Sequence, residues 1–182
     1  MGAEAGAVAV EEQEMIENVF SLDNVTVENI MTQMSDVVTL NMTQPAEDLV
    51  HIMTETGFSL FPAHTGNIDS IAGIVYSKDV MEALVEVHGK SEQLDFKKLL
   101  QRAVFVPEEK TVLSLLRDFQ RQYKHIAVVV NEFGETRGIV TLEDVLEEIV
   151  GDIADEQDKL PRNIKRINTK TILADADTTV EE

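Results

Sequence analysis

The chain has 182 residues, enough for one domain or two small ones. Fifteen basic residues stand against 34 acidic ones, a net charge of −19 that repels phosphate backbones and argues against nucleic acid as a partner. Cysteine is absent, which excludes disulfides and thiolate metal sites, and no apolar run approaches the roughly 20 residues that cross a membrane.

In chain order, "VEEQEMIENVF" (Val10 to Phe20) reads as a short amphipathic helix with Met15, Ile16, Val19 and Phe20 inward. "DVVTL" follows as a strand, and Pro45 opens a helix carrying Leu49, Val50 and Met53. "FSLFPA" and "IAGIVY" form a strand pair across "HTGNIDS". "SKDVMEALVEVH" is a helix with Val80, Met81, Leu84 and Val85 on one face, stopped at Gly89. "AVFV" is a short strand broken by Pro107. "TVLSLLRDFQRQY" places Val112, Leu115, Leu116 and Phe119 at helical spacing. "HIAVVV" is an unbroken β-branched run, as in a buried strand. "NEFGE" turns into the strand "RGIV", and "TLEDVLEEIVGDI" is a helix with Leu142, Val145, Leu146, Ile149 and Ile153 on one stripe. An acidic linker, "DIADEQDKLP", precedes "IKRINTKTILADADTTVEE", which reads as a short strand and the first turn of a helix, as though a further domain had been cut off.

These elements repeat. "AGIVYSKDVMEAL" and "RGIVTLEDVLEEI" align without gaps at an offset of 138 − 73 = 65 residues, and Ser59 aligns with Lys124. Each repeat reads as strand, helix, strand, strand, helix. Either one alone buries little core, so the two are expected to pack sheet to sheet with pseudo-two-fold symmetry in an α+β fold. The expected segments are 10–26 (helix and connection), 27–89 (first repeat), 90–153 (second repeat) and 154–182 (linker and truncated start of a further domain).

Thr141 and Asp144 sit where an apolar strand meets an amphipathic helix. Thr-x-x-Asp there is a capping box, stabilising by roughly 1 kcal/mol. It is equally a pair of oxygens aimed at a ligand, although spacing alone favours the cap. In the first repeat the aspartate recurs as Asp79, while Tyr76 replaces the threonine. Ser77 is expected to supply the cap there, so that Asp79 is not needed for it. The recurrence of the aspartate therefore points toward a ligand. The four histidines have no metal-ligand spacing, and neither a Gly-rich phosphate loop nor a catalytic triad occurs. The carboxylates of "EDVLEEIVGDIADE" read as a solvated helix face rather than a metal site. Nothing indicates an enzyme.

The duplicated G-I-V-x-x-x-D units resemble a tandem CBS domain pair, or Bateman module. "EEQEMIENVFSLDNVTVENIMT" and "KHIAVVVNEFGETRGIVTLEDVLEEIVGDIADEQD" narrow the resemblance to the CorC/HlyC magnesium and cobalt efflux, or hemolysin-like, family, related to the cyclin-M transporters. The resemblance implies two βαββα units forming a disc-like homodimer that binds an adenine nucleotide (AMP, ADP or ATP), with or without Mg2+. It also implies regulation of a membrane domain from the cytoplasmic side of the membrane, with this piece itself soluble and the tail starting a transporter-associated domain. Carried over, Thr141 and Asp144 hold ribose, Thr32 and Val38 border the base, Phe58, Ser59 and Leu60 lie along it, and Ile139 offers backbone groups. Lys124 and His125 stand at the phosphate. The mirror cleft, with Asp79 and Tyr76, is expected to be empty or weak. Two other readings remain: a dimerisation module that binds no ligand, and a direct magnesium sensor using acidic helix ends.

Overall fold

The computed structural model describes residues 13, 15–151, 164–168 and 171–174. The described residues up to Gly151 form one compact unit. Within it, α1 spans residues 15–21, followed by α2 (Val27–Ile30), β1 (Thr32–Gln33), β2 (Leu40–Asn41) and α3 (Ala46–Thr56). Then come β3 (Leu60–His64), β4 (Ile71–Tyr76), α4 (Ser77–Glu86), α5 (Phe96–Leu99) and β5 (Phe105–Pro107). α6 (Val112–Gln122), β6 (Ile126–Val130), β7 (Thr136–Thr141) and α7 (Leu142–Val150) complete it. The separate C-terminal piece pairs β8 (Ile164–Asn168) with β9 (Thr171–Ala174), so the single strand expected there is a hairpin. The acidic linker and the expected helical turn lie outside the described residues.

The two βαββα repeats are present. In each, the first strand pairs parallel to the second and the second antiparallel to the third. The strands alternate as a pleat requires. Phe61, Ala63 and Val75 face a core under α3 and α4, with Leu49, Met53 and Val80. Ala127, Val129 and Val140 face a second core under α6 and α7, with Leu115, Phe119 and Val145. The opposite faces meet each other: Ile71, Ile74 and Leu60 of the first sheet cluster with Ile126, Val128 and Ile139 of the second. This is the sheet-to-sheet packing anticipated from the size of each repeat.

Three features depart from the sequence reading. First, β1 leaves its own repeat and joins the other sheet, whose strand order is β1-β7-β6-β5. The connection before it follows, with Leu22 and Val27 buried in the core of the second repeat. Reciprocally, Gln101, leading into the second repeat, bridges Ile74 of β4 through two 2.9 Å backbone hydrogen bonds. Second, the gapless alignment slips between the central strands. Leu60 faces Tyr76 and Ile126 faces Thr141, giving offsets of 126 − 60 = 66 and 141 − 76 = 65. The 65–70 turn is one residue longer than 131–135, so Ser59 corresponds to His125 and not to Lys124.

Third, the apolar face of α1 is not inward. Ile16 and Phe20 are 57% and 77% exposed, and Met15 and Val19 are exposed as well. α1 is held to α7 by an Asn18 amide donating to the Ile149 carbonyl, and the first side chain to enter the core is Leu22, after the helix ends. Met81 and Val85 on α4 are likewise open, as are Leu146 and Val150 on α7. Each sheet is already covered by two helices, and among the described residues these side chains stay exposed.

Candidate functional site

The β7–α7 junction forms where an apolar strand ends at Thr141, whose extended backbone (φ −111°, ψ 169°) makes it an N-cap. Thr141 Oγ1 accepts from the Asp144 N–H at 3.2 Å. Asp144 Oδ2 in turn accepts from the Thr141 N–H at 2.6 Å and from its hydroxyl at 2.8 Å. Both halves of the capping box are therefore made, as spacing alone favoured. Both bonds to the carboxylate fall on one of its oxygens, Oδ2. Among the described residues no side-chain hydrogen bond engages the other, Oδ1, which leaves it as an acceptor.

Other chain segments converge on this junction. Thr32 lies opposite Ile139 in the β1–β7 pairing, two residues before Thr141. β1 comes this close because Gly138 has no side chain. A Cβ built on it would collide with the Thr32 carbonyl oxygen, backbone against backbone. On the other side, the His125 carbonyl accepts from the Leu142 N–H at 2.9 Å, and the Lys124 N–H bonds the Phe119 carbonyl at 3.2 Å. Lys124 and His125 thus stand beside the start of α7, with His125 exposed. Thr32, Lys124, His125, Ile139, Thr141 and Asp144 are brought together.

The remaining predicted residues are placed elsewhere. Ser77, the first residue of α4, donates its hydroxyl to the Phe58 carbonyl at 2.6 Å and its N–H to the Ser59 carbonyl at 3.0 Å. Leu60 pairs with Tyr76. Phe58, Ser59 and Leu60 therefore border the Asp79 junction, as Lys124 to Ile126 border the Asp144 junction. Val38 packs against the core of the first repeat.

The Asp79 junction has a different chemistry. Tyr76 is the N-cap of α4 but makes no side-chain cap bond, and Ser77 does not supply one either, contrary to the sequence expectation. The Asp79 carboxylate instead accepts from the Gln101 side-chain amide at 2.7 Å. Tyr76 packs against the inter-sheet cluster with the Lys78 ammonium 5.6 Å from its ring centre. Burial, and secondarily the Asp79 charge, push the Tyr76 phenol above its ordinary range. Gln101 carried no sequence signal, since its partner lies 22 residues away.

A cavity of about 600 Å3 opens on the far side of β1, lined by Glu28, Met31, Gln33, Met34, Thr136 and Arg137. It holds none of the predicted site residues, and its cation is engaged, with Arg137 3.4 Å from Glu108. The converging junction at Asp144 is the better candidate, because it offers a directed acceptor. Glu108, Glu109 and Glu132 form a surface carboxylate cluster away from the helix ends considered in the sequence.

The CBS domain family model matches residues 27–86 and 97–151. The chain is 38% identical over 171 residues to the magnesium and cobalt efflux protein CorC of Pasteurella multocida, covering 93% of this chain and 56% of that protein. The chain thus spans about half the length of the curated relatives it matches. It is similar to the CBS domain of a bacterial CNNM/CorC family Mg2+ transporter solved in complex with ATP, with 37% identity and a TM-score of 0.72 over 78% of this chain and 99% of that one. It is also similar to a CBS-domain pair with bound AMP from Klebsiella pneumoniae, with 27% identity and a TM-score of 0.63 over 70% of this chain and 99% of that one.

Proposed function

The chain belongs to the CBS domain family, as a tandem pair of the CorC/HlyC kind, and from that premise we propose that it is a regulatory module binding an adenine nucleotide at the Asp144 junction. The observation that carries this reading is the convergence of Thr32, His125, Thr141 and Asp144, from three separated segments, on one helix start. A ribose diol presents two donors, and Asp144 keeps Oδ1 for them while Oδ2 holds the helix. The apolar edge at Ile139 suits an adenine face, and Lys124 and His125, next to the start of α7, would supply the groups for phosphate oxygens. In the whole protein the ligand would bias a conformational equilibrium felt by a membrane-embedded cation transporter, from its cytoplasmic side. It does so only as far as its affinity differs between the two states.

A specific observation also favours self-association. Met81 and Val85 on α4, and Leu146 and Val150 on α7, occupy equivalent positions 65 residues apart, and all four are exposed. Four apolar side chains in a repeated pattern suit a symmetric homodimer joined through these helices. The reading as a dimerisation module without ligand differs only in leaving the cleft unused.

A thermal-shift scan with AMP, ADP and ATP, each with and without Mg2+, tests the primary reading. A nucleotide at a hundred times its Kd stabilises by about 2.7 kcal/mol. The shift is expected with at least one nucleotide and is expected to vanish in Asp144→Ala. No shift with any nucleotide leaves the dimerisation reading in front, and a shift with Mg2+ alone favours direct cation sensing.

A further inference from the structure

The two junctions share one frame. In each, a glycine of the third strand lets a segment from the other repeat cross it closely. Thr32 crosses at Gly138 and Gln101 crosses at Gly73, where an added Cβ would lie 2.5 Å from the Gln101 carbonyl oxygen. Thr32 pairs with Ile139 and Gln101 with Ile74, and these partners are themselves 139 − 74 = 65 residues apart. Gln101 is therefore the positional counterpart of Thr32. The two side chains do opposite things. Asp144 Oδ2 is bonded only within its own helix start. Asp79 Oδ2 accepts an amide from across the junction at 2.7 Å.

We propose that Gln101 is the residue that closes the Asp79 junction to nucleotide, its side chain bridging from the crossing segment to the Asp79 carboxylate through the space a ribose would occupy, with Tyr76 filling the place of the short Thr141 hydroxyl. The inference rests on the reading of Asp144 as a ribose acceptor. The Gln101–Asp79 bond is partly buried, so a ligand entering the junction must displace the amide and break that bond. Stranding a buried donor weakens binding by about tenfold or more. Threonine at position 101 is too short to span the junction, as Thr32 is. The repeated fold therefore keeps two frames and one open cleft, and the choice between them lies in side chains that leave the backbone pairing untouched.

Calorimetric titration with AMP and with ATP across four proteins tests this. The wild type is expected to show one site per chain. Asp144→Ala is expected to show none. Asp144→Ala combined with Gln101→Thr and Tyr76→Thr is expected to regain one site, within about tenfold of the wild-type affinity, and adding Asp79→Ala is expected to abolish it. An opened protein that gains no Asp79-dependent site overturns the inference. So does an Asp144→Ala protein that keeps a tight, Asp79-dependent site with Gln101 in place. A wild type with no site, beside an opened protein that gains one, sinks the Asp144 reading and leaves the Gln101 inference standing. Should the combined variant fail to fold, the side-chain amide resonances of Gln101 decide. They are expected to move in Asp79→Ala and to stay fixed when Asp144→Ala is titrated with AMP; a nucleotide-dependent shift there overturns the inference.

Discussion

Replacing Gly138 by alanine tests whether the candidate cleft depends on the close crossing of β1. The added methyl group meets the Thr32 carbonyl oxygen and carbon and the Gln33 Cα, all backbone atoms, so no side-chain rotation relieves the contact. β1 must move away from β7. The pairing at risk is two residues long, Thr32 with Ile139 and Gln33 with Gly138. Allowing about one backbone hydrogen bond per residue pair, at about 1 kcal/mol each, puts the loss near 2 kcal/mol. For a chain of this size that is a fall in melting temperature of roughly 4–8 °C. The same displacement carries Thr32 away from the start of α7, so nucleotide affinity is expected to fall about tenfold or more. Gly57→Ala is the control, because its φ of +68° imposes backbone strain while nothing lies within 4 Å of the new methyl group. It should lose about 1 kcal/mol and leave affinity unchanged. Thermal unfolding and calorimetric titration of both variants provide the measurements. A Gly138→Ala protein with wild-type melting temperature and affinity would refute the claim that β1 builds the cleft.

Thr141→Ala removes the acceptor for the Asp144 N–H and should cost about 1 kcal/mol without any ligand, read as a denaturation midpoint shift. Asp118→Asn should destabilise at neutral pH by about 1–2 kcal/mol, since Asp118 lies 2.6 Å from Lys110 and also pairs with Arg121. The hydrogen bond from Lys110, above all, holds the Asp118 carboxyl below its ordinary range, so its stabilisation is present above that range and lost as pH falls through the folded value. The variant's acid-unfolding curve should be correspondingly flatter. The raised Tyr76 phenol works in the other direction: its contribution is present below the ordinary phenol range and lost as pH rises through the folded value. Ultraviolet titration should show a phenol ionising above the ordinary range, and Tyr76→Phe should remove that step.

What the sequence disclosed and what it concealed divide along one physical line. Periodicity reports which residues of a local element are apolar, and so both repeats, with the faces of α3 and α6, were legible from Leu49 and Met53 or from Leu115 and Phe119. Periodicity does not report what lies outside the element. The apolar stripe of α1 was plain, but it faces away from this chain's core. "TQ" is too short to carry a strand pattern, so the crossing of β1 into the other sheet left no mark. Gly138 was visible as a repeated residue, yet its reason, the Thr32 carbonyl, is a contact between distant segments. The site suffered likewise. Thr141 and Asp144 are local and were found, Gln101 is remote and was missed, and Phe58, Ser59 and Leu60, assigned to the Asp144 cleft by resemblance, border the Asp79 junction instead.

The shared frame and the differing side chains separate two kinds of effect. Gly73 and Gly138 admit the crossing segments, and the crossings tie each repeat to the other through backbone hydrogen bonds. A change there alters folding and any ligand site together, since no cleft exists unless the crossing forms. Asp79 and Asp144 lie in first helical turns whose backbone is already fixed by the packing of Val80 and Val145. A change there alters what the cleft accepts while moving stability by little more than a cap. A duplicated fold with this division can lose a ligand at one junction without weakening the architecture that the other still requires. Gln101 shows how small the change is: one amide, 2.7 Å from the Asp79 carboxylate, ties the crossing segment across the junction.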